Sequence, residues 1–371
     1  MRHEVTPFSM VDLVAGASSG GTVAKSLKTM RAATPGPVPT ITVIIPTFNR
    51  GPWLARTLAS VFDQSAPVAN VILIDDGSTD DTAARIGALL QLHPSWQGRL
   101  VFIRHQDNQG KSVALNQALD RSLGTWVGFN DSDDCWKPGK LRSQLEALAA
   151  FPDCGACFTD SVYVTDGVET DTTLSRGKLR LAGPTGRLDN ALAITGRLSH
   201  GIMMQSILVR ADVLRQVGMF DPTMRVAQDV DFLFRLALAT PLCYVNEPLV
   251  EIDRPQGRIH GLTSEFTMQS PTRLALHEKM FQKWLVLVRE QAPQMIALIE
   301  DRLQAARSAL ASRLAMEGDR AAALEVLNRS LAQRFCWRAW FKREVIRLHL
   351  ERLLTSGYQT SHFRLSLDDD R

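Results

Sequence analysis

The sequence lacks long apolar stretches and has little excess of charge of either sign. No run reaches the roughly 18 uninterrupted apolar residues that a membrane-spanning helix needs. The polar first residues lead into no apolar segment of the kind that a secretory signal carries. The 42 basic and 39 acidic side chains leave a net charge of +3. We therefore expect neither a membrane-spanning nor an exported protein, and no nucleic-acid partner.

Cysteine is also scarce. The 371 residues contain five cysteines, an odd number. Cys154 and Cys157 form a C-x-x-C pair, but no second pair accompanies them as in a zinc site. We expect these two side chains to pack rather than to bind metal, and we expect the protein in a reducing cytoplasm.

Composition divides the chain into four parts. Residues 1–38 are rich in Gly, Ser, Thr, Ala and Pro, which is typical of a flexible leader. A domain is predicted over 39–268, followed by a helical region over 269–358 and a tail over 359–371. At 371 residues, the chain is long enough for two or three domains.

The second part alternates short apolar strands with helices. Four strands are predicted before residue 130, and later ones near Ala156–Val164 and Ile207–Val209, with a loop-rich insert over 165–200. Strands alternating with helices form βαβ units, so we predict an α/β fold with a mostly parallel, Rossmann-like sheet flanked by helices. The first four strands are Ile41–Ile45, Val71–Ile74, Leu100–Ile103 and Trp126–Phe129.

Three of these four strands end in polar clusters. In open parallel sheets, ligands bind at the carboxyl ends of the strands. Turn chemistry explains any one such cluster equally well, because Asp, Asn and Gly favour turns. Three clusters on one sheet edge favour a binding site. They are Pro46–Asn49, Asp75–Ser78 and Asn130–Asp134.

The third cluster is the most acidic. Asp131, Asp133 and Asp134 repel one another at neutral pH unless a cation lies among them. A divalent ion with oxygen ligands, Mg²⁺ or Mn²⁺, would meet that need and keep positions open for substrate phosphates. A solvated acidic turn is the alternative. The apolar strand Trp126–Phe129 that leads into the cluster favours the metal.

Taken in order, five motifs resemble the family-2 inverting glycosyltransferases with the GT-A fold. The resemblance covers roughly residues 40–260, and the ordered set is far more specific than any one motif. The motifs are Pro46-Thr47-Phe48-Asn49-Arg50, Asp75-Asp76-Gly77-Ser78-Thr79-Asp80, Asn108-Gln109-Gly110-Lys111, Ala114-Leu115-Asn116 and Asp131-Ser132-Asp133-Asp134.

That resemblance implies a nucleotide-sugar donor. The strand-end residue Thr47 would contact base and ribose through its backbone, and Asp76 would accept from a base N–H, which suits uracil and favours a UDP-sugar. Lys111 would reach the donor nucleotide or its phosphates, and its place after Gly110 at a helix start suits an anion. The implied donor-binding residues are Pro46, Thr47, Asn49, Asp76, Lys111 and Asp131.

The resemblance also implies a metal ion and a catalytic base. Asp131-Ser132-Asp133 corresponds to the Asp-x-Asp (DXD) motif, in which Asp133 would ligate Mn²⁺ or Mg²⁺ on the diphosphate. Asp131 would contact the ribose or a metal-bound water. Asp134 would assist, and His260 would be a further metal ligand or phosphate contact, with an ordinary surface histidine as the alternative.

Asp229 would be the general base, at the opening of a predicted amphipathic helix. The alternative is that Asp229 only caps that helix. Gln228 departs from the Glu that is usual beside this Asp, which removes a neighbouring negative charge.

The implied activity is inverting, metal-dependent hexosyl transfer from a UDP-sugar to a hydroxyl of a glycan or lipid-linked glycan, in polysaccharide biosynthesis. The chain lacks the Gln-x-x-Arg-Trp signature of processive synthases, which favours a non-processive enzyme. The alternative is a non-catalytic scaffold that binds a sugar nucleotide or a glycan. A nicotinamide enzyme is not favoured, because no G-x-G-x-x-G follows Ile45.

The segment 335–348 mixes aromatic and basic side chains. Such a segment suits an anionic membrane surface, and would place the protein peripherally on the inner face of the membrane. The alternative is a helix that packs its aromatic side chains on the preceding helices.

Overall fold

The computed structural model describes residues 40–121, 124–254 and 270–349. These residues belong to one compact unit. The predicted leader (1–38), the predicted tail (359–371) and His260 lie outside the described residues. The predicted boundary near residue 269 also falls outside them, and it stays a prediction.

The described residues form one ten-stranded sheet. Its order is β3-β2-β1-β4-β9-β6-β10-β5, with β7 beside β6 and β8 beside β10. The run β3-β2-β1-β4 is parallel, whereas β9 runs antiparallel to both of its neighbours, so the sheet is parallel in its first half and mixed in its second. The strands are β1 Ile41–Thr47, β2 Asn70–Asp75, β3 Leu100–Arg104, β4 Trp126–Phe129, β5 Cys135–Trp136, β6 Ala156–Thr165, β7 Val168–Thr172, β8 Thr185–Arg187, β9 Leu208–Arg210 and β10 Leu242–Asp253.

Helices flank this sheet and continue beyond it, which confirms the predicted α/β class with a helical C-terminal region. Within the described ranges, none of them is long and apolar enough to cross a bilayer. The helices are α1 Gly51–Phe62, α2 Thr82–Leu92, α3 Lys111–Leu119, α4 Lys140–Ala150, α5 Thr173–Arg176, α6 Ala191–Thr195, α7 Ala211–Val217, α8 Gln228–Ala239, α9 Pro271–Gln291, α10 Ile296–Met316, α11 Arg320–Gln333 and α12 Trp337–Arg347.

Strand β1 is buried on both faces because its apolar side chains alternate between two cores. Val43 and Ile45 pack in one core with Leu54 of α1, while Ile44 packs in the other with Leu115 of α3. This is the pattern of a parallel strand covered by helices on both sides. Since β1, β2 and β4 are parallel neighbours, their carboxyl ends meet at one edge of the sheet, together with the polar clusters that follow them.

Helices α8 and α9 are joined through a buried carboxylate, that of Asp231. Asp231 accepts from Arg235 Nε (2.9 Å), Lys283 Nζ (2.9 Å) and Trp284 Nε1 (3.0 Å). The Trp284 ring also stacks on Phe234, with ring centroids 3.9 Å apart. At α8 the sheet domain and the C-terminal helices therefore share an ion pair, an aromatic stack and the apolar cluster around Phe234.

We expect Asp231→Ala to lower the free energy of unfolding by about 3 kcal/mol, because Arg235 and Lys283 would lose a buried counter-charge. Urea denaturation measures this change. The matched control is Glu317→Gln, which breaks an exposed i,i+4 ion pair with Arg313 and should cost at most about 0.5 kcal/mol. Equal losses in the two variants would contradict a central role for Asp231.

Candidate active site

A cleft of about 1310 Å³ lies at the carboxyl edge of the parallel strands. Its walls come from the ends of β1, β2 and β4, the start of α3, the start of α8 and the first turns of α9. Eight of the ten sequence-predicted site residues line it, namely Pro46, Thr47, Asn49, Asp76, Lys111, Asp131, Asp133 and Asp229.

Asn49 joins the first two polar clusters. Its backbone has a φ of +52°, a conformation that Asn tolerates better than most residues. Its Oδ1 accepts from the backbone N–H of Thr79 (2.8 Å) and of Asp80 (3.3 Å), and its own N–H donates to Ser78 Oγ (2.9 Å). Asn49 therefore holds the loop after β1 against the loop after β2.

Asp76 organises the loop that leads into α3. Its buried carboxylate accepts from the backbone N–H of Gln109 (2.9 Å) and of Gly110 (2.7 Å), and its Oδ1 lies 2.7 Å from His105 Nδ1. Both oxygens are thus engaged within the chain. The implied contact with a nucleotide base stays a prediction, and it would have to use the lone pairs that remain.

Two ion pairs lie on the floor of the cleft. Lys111 Nζ lies 2.5 Å from Asp131 Oδ1, and Arg50 Nε lies 3.2 Å from Asp133 Oδ2. Burial alone would lower the pKa of Lys111, but Asp131 beside it, with Asp229 and Asp133 farther away, holds that pKa above its ordinary value. Part of the positive charge expected among the carboxylates therefore comes from Lys111 and Arg50. Sequence analysis did not identify Arg50 as a site residue.

The oxygen donors of Asp131 and Asp133 fit a hard divalent ion. No group of three or more His, Cys, Asp or Glu side chains in the described ranges is arranged to hold a metal. Mg²⁺ needs no such group, because it commonly binds through one or two carboxylates, substrate phosphates and water. An ion held mainly by phosphates and water would therefore need no more than one or two carboxylates from the chain.

Asp134 does not line the cleft, which corrects the expectation that it helps to hold the ion. Its side chain is fully buried, with Oδ2 accepting from Gln205 Nε2 (2.7 Å) and Oδ1 from the Asp253 N–H (3.3 Å). Burial, reinforced by the charges of Asp133 and Asp131, raises the pKa of Asp134 well above its ordinary value. Asp134 therefore links the turn after β4 to β10 through its hydrogen bond with the Asp253 N–H.

Asp229 is half-buried in the second position of α8 and faces the cleft. The cap position belongs to Ala227 instead, at φ +61°, and makes no side-chain capping bond. Asp229 Oδ1 accepts from the neighbouring Val230 N–H at 2.9 Å. Asp229 thus satisfies one first-turn N–H while it faces the cleft, and its role as general base stays a prediction beside the capping alternative.

Helix α9 contributes Arg273 and His277 to the cleft, two residues that sequence reasoning missed. Burial lowers the pKa of Arg273 while the charge of Asp229 opposes that change, so the two groups interact across the cleft. Burial and the Arg273 charge lower the pKa of His277 to about 4. Their i,i+4 spacing places both side chains on one face of α9, which was the only sequence signal that they act together. No motif pointed to this pair.

Residues 42–210 match the sequence model of Glycosyl transferase family 2. TuaG of Bacillus subtilis, whose name assigns it to teichuronic acid biosynthesis, is 38% identical over 134 residues, 36% of this chain and 51% of TuaG. The succinoglycan biosynthesis protein ExoU of Rhizobium meliloti is 30% identical over 223 residues, 58% of this chain and 60% of ExoU. The matches thus span about half to three fifths of these relatives.

Solved structures with a similar fold include two glycosyl-nucleotide complexes. S. aureus TarS 1–349, in complex with UDP-GlcNAc, superposes with a TM-score of 0.60 at 17% identity, covering 87% of this chain and 93% of that one. The mannosyltransferase PcManGT of Pyrobaculum calidifontis, in complex with GDP-Man and Mn²⁺, gives 0.50 at 20% identity, over 89% and 90%. At these identities the likeness concerns the fold.

His277 should make the stability depend on pH. The unfolded imidazole has a pKa near 6.5 and the folded one about 4, so between these values the unfolded chain binds the extra proton. The free energy of unfolding therefore falls as the pH is lowered from about 6.5 to about 4. His277→Gln should flatten this dependence by up to about 1.4 kcal/mol per pH unit, measured by urea denaturation at several pH values.

The matched control is His349→Gln, which changes an exposed histidine. It should leave the slope as it is in the wild type. If the stability of His277→Gln depends on pH as strongly as that of the wild type, His277 is not the cause of this dependence.

Proposed function

Because residues 42–210 form a Glycosyl transferase family 2 domain, we propose that the chain transfers a hexose from a nucleoside-diphosphate sugar to an acceptor hydroxyl, with inversion. The observation that carries this proposal is that one cleft holds Asp229 together with the Lys111–Asp131 and Arg50–Asp133 pairs. A UDP-sugar is the favoured donor, since TarS is a structural neighbour in complex with UDP-GlcNAc.

Some polar atoms in the cleft wall lack partners. Within the described residues, Thr47 Oγ1, Gln228 Oε1 and His200 Nε2 are buried and make no hydrogen bond, and all three residues line the cleft. Because these atoms are closed to solvent, a sugar nucleotide would bind them only after the cleft wall rearranges.

We assign the diphosphate to the start of α3. The unsatisfied N–H groups at the beginning of a helix carry positive potential, and Gly110 at the cap, with φ +97°, leaves the approach open. Lys111 follows as the first helical residue, so its ammonium adds a full charge at the same place. When a phosphate arrives, it would share this ammonium with Asp131.

We assign a divalent ion, Mn²⁺ or Mg²⁺, to Asp133 with help from Asp131. PcManGT, in complex with GDP-Man and Mn²⁺, supports the choice of metal. Bound there, the ion would offset the negative charge that develops on the departing nucleoside diphosphate. Arg50, which pairs with Asp133, would stay beside the same carboxylate.

In the proposed reaction the acceptor oxygen attacks the anomeric carbon of the donor sugar. The bond between that carbon and the diphosphate oxygen breaks on the opposite face, so the configuration inverts. The acceptor proton passes to the Asp229 carboxylate, which acts as general base. Gln228 beside it carries no charge, so the nearby cations Lys111 and Arg273 set the electrostatic environment of this base.

The acceptor is proposed to be a glycan or a lipid-linked glycan, because the names of TuaG and ExoU refer to polysaccharide synthesis. Arg273 and His277 line the side of the cleft that α9 forms, where an acceptor would enter. A lipid-linked acceptor would require contact with a membrane surface, and the C-terminal helices are the part of the chain we expect to make it.

Replacing the proposed base should abolish transfer and spare donor binding. We expect Asp229→Asn to lower kcat about 100- to 10,000-fold, the usual loss for a general base, with the donor Kd unchanged. Release of nucleoside diphosphate measures turnover. Asp189→Asn, an exposed carboxylate outside the cleft, is the matched control. Donor binding without turnover in the wild type, for any acceptor tried, would favour the non-catalytic scaffold instead.

Donor binding should depend on metal through Asp133. Calorimetry with UDP-, dTDP-, GDP- and CDP-sugars, with and without Mn²⁺, should find one nucleotide that binds at least about tenfold more tightly with metal. Asp133→Asn should remove that gain, while Asp189→Asn keeps it. An equal effect of Mn²⁺ on the wild type and on Asp133→Asn would contradict the metal assignment.

A further inference from the structure

Helix α12 and the residue pair before it present aromatic side chains to solvent. Phe335 is 71% exposed, Trp337 63%, Trp340 45% and Phe341 52%. We call these four residues the aromatic strip. Trp337, Trp340 and Phe341 are spaced i, i+3 and i+4, so they share one face of the helix. Side chains of this size are normally buried, and four together on a surface point to a partner.

The strip is unusual for this chain. Besides it, the described residues contain one other exposed Phe or Trp, the cleft residue Phe48. The chain has seven tryptophans, and the two exposed ones are both in the strip. The exposure is thus largely a local property of this helix, because the other aromatic side chains in the described ranges, apart from Phe48, are buried or half-buried.

The opposite face of α12 packs against the preceding C-terminal helices. Ala339, Val345 and Ile346 are buried there, and Lys342 Nζ donates to the Ser308 carbonyl (3.1 Å) and hydroxyl (2.6 Å) of α10. The prediction that the aromatic side chains pack on the preceding helices is therefore wrong. Small and aliphatic residues make that contact, and the strip is left outside it.

One basic side chain, Arg338, lies beside the strip. Residues 334–349 carry four other Arg or Lys side chains, and these are engaged within the chain. Lys342 binds Ser308, Arg334 pairs with Asp301, and Arg343 and Arg347 pair with Glu344. The guanidinium of Arg338 lies 5.6 Å from the centre of the Trp337 ring. Trp and Phe enter the boundary between headgroups and acyl chains, while arginine binds lipid phosphates above it. We propose that the aromatic strip and Arg338 bind the surface of an anionic lipid bilayer.

This surface is connected to the cleft through one buried cluster. Ala339 and Ile346 of α12 share that cluster with Leu274, the residue after Arg273 in the first turn of α9. Binding of α12 to a bilayer would therefore fix the orientation of the α9 wall relative to the lipid. Binding of α12 to a bilayer does not require sugar transfer.

Flotation of the full-length protein with vesicles tests the proposal. The wild type should float with vesicles of phosphatidylcholine and phosphatidylglycerol, and weakly with phosphatidylcholine alone. The triple variant Trp337→Ala, Trp340→Ala, Phe341→Ala should lower the partition coefficient at least about tenfold. Arg338→Glu should reduce binding to the anionic vesicles selectively, because it reverses a charge that faces the phosphates.

The matched control is Leu92→Ala with Val168→Ala, which removes exposed apolar side chains elsewhere on the fold. Its binding should equal that of the wild type. Thermal melting checks that the triple variant is folded, as expected for side chains outside the core. Absence of wild-type binding, or equal binding by the triple variant, would overturn the proposal. So would light scattering that shows self-association of the wild type, lost in the triple variant, since the strip would then join two copies of this chain.

Discussion

Carboxylates brought together in one cleft raise the energy of the folded state unless each is compensated, and most of the local structure around this cleft serves that compensation. Asp131 and Asp133 are paired with the cations Lys111 and Arg50. Asp76 is met by backbone N–H groups, so the loop before α3 must close around it. Asp134 is compensated differently, because burial shifts its equilibrium toward the neutral acid.

The cleft extends beyond the part of the chain that matches the family. The match ends at residue 210, yet the proposed base Asp229 lies on α8, and Arg273 and His277 lie on α9. The parallel strands supply the wall to which we assign the donor, and the later helices supply the opposite wall. Because Arg273 and His277 belong to this second wall, we expect it to influence which acceptor binds.

Much of the first half of the fold could be predicted, because its signals are local. The strand Ile41–Ile45 is short, β-branched and followed by a polar turn, and β1 was found there as Ile41–Thr47. The direction in which Asp134 points could not be predicted, since it depends on Gln205 and on the backbone of β10, distant in sequence. The exposure of Trp337 and Trp340 depends on which face of α12 meets α10 and α11, and a helix with apolar residues all round leaves that choice open.

The buried carboxylate of Asp231 has a consequence for the evolution and engineering of this chain. It is bound at once by Arg235 of its own helix and by Lys283 and Trp284 of α9. A cut near residue 269 would leave this charge with one partner and open the Phe234 face to water. The C-terminal helices are thus not an interchangeable module. We expect chimeras between relatives to be destabilised unless the graft carries residues matched to Asp231 and Phe234.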